Sequence, residues 1–114
     1  MLSAQQARKL ALALPEAVEQ DHHGRPSFRV GGRIFATLWT NEQLNLMLDE
    51  DGIHTFTQSR GDVCEEVWWG QRLAAVRVAL PRADRRLVRE LLQEAWERKA
   101  PARLTRNRGS DERA

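Results

Sequence analysis

The stretch Gly24-Arg-Pro-Ser-Phe-Arg-Val-Gly-Gly-Arg-Ile-Phe-Ala-Thr-Leu-Trp39 decides the fold. Ser27 to Val30 and Arg33 to Trp39 alternate apolar and polar side chains, the period-two pattern of strands with one buried face. Between them, Gly31-Gly32 supplies two consecutive residues free to take positive φ, as a two-residue turn between antiparallel strands requires. The segment therefore reads as a β-hairpin. Arg25, Arg29 and Arg33 set positive charge along it.

Toward the N-terminus, Ser3 is placed to cap a helix running through Leu14, with Leu10 and Leu14 on its apolar stripe and Pro15 closing it. Val18 to His22 reads as a polar strand entering the Gly24-Arg25-Pro26 turn. Beyond the hairpin, Leu44, Leu46 and Leu48 alternate with Asn45 and Met47 after a Thr40-Asn41-Glu42 turn, which extends the hairpin into an antiparallel meander. Asp49 to Arg60 opens on acidic residues and reads as a short helix or irregular connector ending near Gly61. Val63 to Trp69 and Leu73 to Leu80 form two more strands around Gly70-Gln71. Asp84 caps a final helix in which Leu87, Val88, Leu91, Leu92, Ala95 and Trp96 recur at three- and four-residue spacing, and Pro101 stops it. This order predicts an α+β fold in which the N- and C-terminal helices cover one face of an antiparallel sheet and leave the other open.

A chain of 114 residues with 41% apolar and 30% charged residues suits one soluble globular domain, expected over residues 1–104, with 105–114 a basic, disordered tail. No apolar run approaches the roughly 18 residues of a membrane-spanning helix, and Met1-Leu2-Ser3 leads directly into the amphipathic segment, so the expected location is cytoplasmic. The net charge is only +2, but residues 82–114 hold ten Lys and Arg against six acids, a net +4, which leaves −2 for residues 1–81. Such asymmetry suits an anionic partner at the C-terminal end, and equally a solvated helix.

Candidate catalytic and metal chemistry is thin. Cys64 is the only cysteine, which excludes an intramolecular disulfide and a cysteine-built zinc or iron–sulfur site; with no histidine near it in sequence, it reads as a small buried strand residue. Asp21-His22-His23 offers metal-ligand chemistry, but neighbours on a strand point to opposite faces and a third ligand such as His54 would have to converge. Asp49-Glu50-Asp51-Gly52 lacks the alternating ligands of a calcium loop and has Arg60 where the closing Glu belongs, so it reads as a helix start. Ser27, Thr55 and Ser59 have no nucleophile elbow around them, and Gly31-Gly32 lacks the strand-to-helix setting of a phosphate loop. No cofactor is expected. Of the four tryptophans, Trp96 reads as core, and Trp68-Trp69 predicts one buried and one outward indole, the outward one able to stack on a base beside Arg72 or Arg77.

Leu14-Pro15-Glu16, Gly24, Pro26 through Ala36, Trp69-Gly70, Ala95-Trp96, Ala100-Pro101 and Arg103-Leu104, in this order, resemble the MmcQ/YjbR family of small bacterial proteins. The resemblance implies a CyaY-like, that is frataxin-like, two-layer sandwich. It also implies a non-enzymatic role in DNA binding through an exposed "double wing" sheet surface, although a fold does not by itself confer a function. Leu73-Ala74 departs from the Gly-Trp that relatives tend to carry after the Trp-Gly turn. The iron binding of frataxins implies an acidic ridge on the first helix, and Ser3 to Leu14 holds no Asp or Glu but does hold Arg8 and Lys9. The leading expectation is accordingly weak, salt-sensitive, non-specific DNA binding by Arg25, Arg29, Arg33, Trp69, Arg72 and Arg77. The alternatives are a small-ligand or protein-interaction domain and, third, a metal chaperone built on His22, His23 and Asp49 to Asp51.

Overall fold

The structure, a computed structural model, describes residues 2–105; most of the expected tail therefore lies outside the described residues. The chain forms α1 (Ala4–Leu12), β1 (Val18–His22), β2 (Arg25–Val30), β3 (Arg33–Thr40), β4 (Gln43–Leu46), α2 (Glu50–Ser59), β5 (Cys64–Trp69), β6 (Arg72–Ala79) and α3 (Arg85–Lys99), with a 3-10 turn at Leu80–Arg82 before the last helix. Each α-helix starts on a side-chain cap. The Ser3 hydroxyl accepts from the Gln6 amide while Gln6 accepts from the Ser3 amide, and the Asp49 and Asp84 carboxylates each accept at 2.8 Å from the amides of Gly52 and Leu87. Helix α1 stops at Leu12, short of the expected Leu14, because the residue before Pro15 is sterically driven out of helical geometry. Its fully buried side chains are Ala7 and Ala11, while Leu10 and Leu14 pack against the core partly buried; α1 lies against α3.

The six strands make one antiparallel sheet in the order β1-β2-β3-β4-β6-β5. Gly31 and Gly32 carry φ of 58° and 79°, the double positive φ of a primed hairpin turn. After β4 the chain crosses through α2 to the far edge, and β6 returns to lie beside β4. Helices α2 and α3 cover one face: α2 packs on β5 and β6, and α3 on β3 and β4. The core lies between these layers. It takes Phe28, Val30, Phe35, Leu44, Leu46, Val76 and Val78 from the sheet and all six stripe residues of α3, with Trp96 fully buried. Among the described residues no helix is long and apolar enough to cross a membrane.

Three irregularities interrupt the strand pairing. Register shifts leave Phe35 and Trp39 without a partner in β3 and Ala74 without one in β6. An extra residue on one strand increases local twist and re-aims its side chains. At Phe35 this puts two successive residues, Phe35 and Ala36, into the core. Trp39 lies on the open face by simple alternation, two residues after Thr37, and there it meets two arginines.

Candidate functional site

The face of the sheet without helices carries a groove of about 640 Å³. Its floor follows from strand alternation: Phe28, Leu44, Leu46 and Val76 point to the helices, so Thr37 and Asn45 point the other way, joined by Ile34, Met47 and Ala74. Arg25 and Arg29 of β2, Arg72 of β6, and Arg98 and Lys99 at the end of α3 stand in its walls, with His22 and His23 at the β1–β2 turn. Among the described residues no Asp or Glu lines it. None of the five Arg and Lys side chains forms an ion pair with a carboxylate among the described residues.

The two groove tryptophans have different surroundings. The Arg25 guanidinium lies 3.8 Å from the centre of the Trp39 ring and its Nε donates to the Trp39 carbonyl at 2.9 Å. Arg77 approaches the same ring at 5.1 Å. Trp69, in contrast, is half exposed, and its only cation–π contact among the described residues is Arg72 at 6.0 Å, near the outer limit of such an interaction.

Of the residues expected from sequence, the structure brings Arg25, Arg29, Trp69 and Arg72 into this groove. Arg77 is tied down beside it on the same face: its Nε donates to the Asn45 side chain at 2.9 Å, Glu65 lies 3.9 Å away, and the Trp39 ring is 5.1 Å off. Arg33 is exposed but outside the groove lining, because its β-bridge partner Val30 points into the core and so turns Arg33 to the helix side. The expectation of one buried and one outward indole at Trp68-Trp69 is corrected, since both are about half exposed, at 53% and 49%. They do point to opposite sides, but they end an edge strand, where covering is incomplete; the Trp68 indole N–H donates to Glu66 at 3.1 Å. Arg98, Lys99 and Trp39 were not among the expected site residues. The first two lie at the end of a helix whose sequence pattern reports only its buried stripe, and nothing local ties them to a strand turn 27 residues away.

Charge crowds where the end of α3 meets the groove. Burial, and then the positive neighbours Arg98, Arg33 and Arg72, hold the Lys99 ammonium below the usual lysine range. Elsewhere the possibilities for chemistry narrow. Burial pushes the Cys64 thiol up to about 11, which leaves it protonated and inert at neutral pH. Among the described residues no three His, Cys, Asp or Glu side chains come together, so His22, His23 and Asp49 to Asp51 do not form one metal cluster.

A family model described as YjbR matches residues 12–98, most of the chain. The chain belongs to the YjbR family. A solved structure similar to it is that of Deinococcus radiodurans protein DR2400, assigned to the domain DUF419, at 20% identity, with a TM-score of 0.70 over 85% of this chain and 78% of that one. At that identity the likeness is one of fold, the α+β arrangement expected from sequence. Comparison with curated proteins returns no match. Several of the residues that carry the YjbR resemblance lie away from the groove and tie the fold together. The Trp96 indole N–H donates to the Pro15 carbonyl at 2.9 Å across 81 residues, Arg103 grips Glu16 with two hydrogen bonds of 2.7 and 2.9 Å, and Pro101 packs beside Gly31.

Proposed function

We propose that this YjbR-family chain is a non-enzymatic, cytoplasmic nucleic-acid-binding module whose contact surface is the open face of its sheet. The observation that carries the reading is the groove itself: five Arg and Lys side chains from three elements, two tryptophans and, among the described residues, no carboxylate in the lining. Phosphate oxygens would supply the missing negative charge, and such contacts give affinity without choosing a sequence. In this reading Arg29, Arg72, Arg98 and Lys99 contact phosphates, Arg25 and Arg33 add to the local field, and Trp69 offers a stacking face. Arg77 acts indirectly, by holding Trp39.

The test is a titration of labelled single-stranded and duplex DNA against the full chain at two salt concentrations. Affinity should be weak, nearly indifferent to sequence, and lower at the higher salt. No binding at low salt, or binding insensitive to salt, would remove the proposal. The groove volume favours a second reading, a small anionic ligand, because about 300–1,000 Å³ is usual for small-molecule sites. A thermal-shift screen of anionic metabolites addresses it, since a ligand that binds only the folded state raises the melting temperature.

A further inference from the structure

Within the groove, aromatic surface and unpaired charge coincide at one end only. Trp39 is already met by two guanidinium groups, at 3.8 and 5.1 Å, and the nearer of them is fixed to its carbonyl. Trp69 is the half-exposed indole of the groove, and its nearest guanidinium, Arg72, stands off at 6.0 Å from the ring centre. It ends β5 at the β5–β6 turn, and the same turn presents Arg72 to the groove beside Arg98 and Lys99 from the last turn of α3. Cations at a helix C-terminus offset the partial negative charge of its free carbonyls, which accounts in part for Arg98 and Lys99. It does not account for Arg72, which belongs to a different element and adds like charge at the same place.

We infer that this end of the groove is a single-nucleotide subsite, in which one nucleoside ring lies on Trp69 and its phosphate is held by Arg72, Arg98 and Lys99. The inference rests on the nucleic-acid reading above and sharpens it to unpaired nucleotides. Bases inside a duplex are stacked on both sides and show only their edges in the grooves, so none has a face to give Trp69. A nucleotide in a single strand, or a free nucleoside monophosphate, has that face, and stacking on an aromatic side chain tolerates any base. One free indole and one cation cluster make the unit of recognition one nucleotide.

The experiment uses the full chain, with fluorescence anisotropy of labelled oligothymidine and of a duplex of equal length, and thymidine monophosphate and adenosine monophosphate as unlabelled competitors. Single strands should bind at least about tenfold tighter than duplex, and W69L should weaken single-strand binding by about 5- to 100-fold while leaving duplex binding unchanged. W68L, which removes an equally exposed indole outside the groove, should change neither. R72Q should weaken both, and both mononucleotides should compete. Equal affinity for the two DNA forms together with an inert W69L would overturn the subsite and leave a purely electrostatic DNA-binding face. Competition by mononucleotides in a protein that binds neither DNA form would instead support the subsite and remove the DNA reading. No binding of any probe removes both.

Discussion

Replacing Arg72 by Gln should reduce the salt dependence of single-strand binding by one phosphate contact, and the size of that change can be worked from the groove. Arg25 is committed to Trp39, which leaves Arg29, Arg72, Arg98 and Lys99 as four cations able to meet phosphates. At about 0.7 per contact, log K for a single strand falls against log salt with a slope of about −2.8, so raising salt from about 50 to about 200 mM weakens binding about 50-fold. With Arg72 neutral the slope becomes about −2.1 and the same rise costs about 20-fold. The control is R86Q, which removes the same charge from a side chain that is 90% exposed on α3 and lines no part of the groove. Anisotropy titrations at four salt concentrations give both slopes. If R72Q and R86Q lower the affinity equally and neither changes the slope, net charge and not the groove is responsible, and the reasoning fails.

Other consequences concern the fold that holds the groove in shape. Trp96→Phe should destabilise the protein by about 2 kcal/mol in urea unfolding, because it vacates core volume and leaves the Pro15 carbonyl without its indole donor. Arg103, chiefly through its hydrogen bonds, holds the Glu16 carboxyl below the usual carboxylate range. A depressed folded-state pKa contributes stability that is present above the ordinary value of 4.5 and lost as pH falls through the folded value, so E16Q should melt at a temperature less dependent on pH than wild type below pH 4.5. Gly31→Ala should cost more than Gly32→Ala in thermal unfolding. Both take a left-handed φ, worth about 1–2 kcal/mol for an L residue, but only at Gly31 would the new Cβ meet Pro101, at 3.0 and 3.1 Å. With its thiol pushed up to about 11 against an ordinary 9.0, Cys64 should react with a disulfide reagent at pH 8 about 100-fold more slowly in the native state than in urea; equal rates would contradict its burial.

Much of the fold was legible because it is local. Ser3, Asp49 and Asp84 cap helices through amides three residues on, and the α3 stripe is buried as its spacing foretold. A cap or stripe depends on neighbours one turn away, and sequence adjacency reports those. The exposed pair Trp68-Trp69 shows where this stops: alternation correctly separates their directions, but whether a direction leads into a core depends on which strand is at the edge. The candidate site was half legible for the same reason. Arg25, Arg29 and Arg72 sit on strands, where period-two reasoning applies, but Arg33 and Arg77 carry the same charge and were sorted differently by their surroundings.

By itself, the stretch from Gly24 to Trp39 determined a β-hairpin, its turn geometry and a positively charged strand pair, and the whole sequence determined the helix–sheet–helix order. Only the tertiary structure decided that β6 lies between β4 and β5, that Trp39 and Ala74 are unpaired, and that the end of α3 brings Arg98 and Lys99 to the Arg72 turn. Strand order and bulges are settled by packing between segments far apart in the chain, where the shape of the core selects among registers that local patterns leave equivalent. The groove belongs to that second class, since its charge comes from three elements that share no sequence neighbourhood.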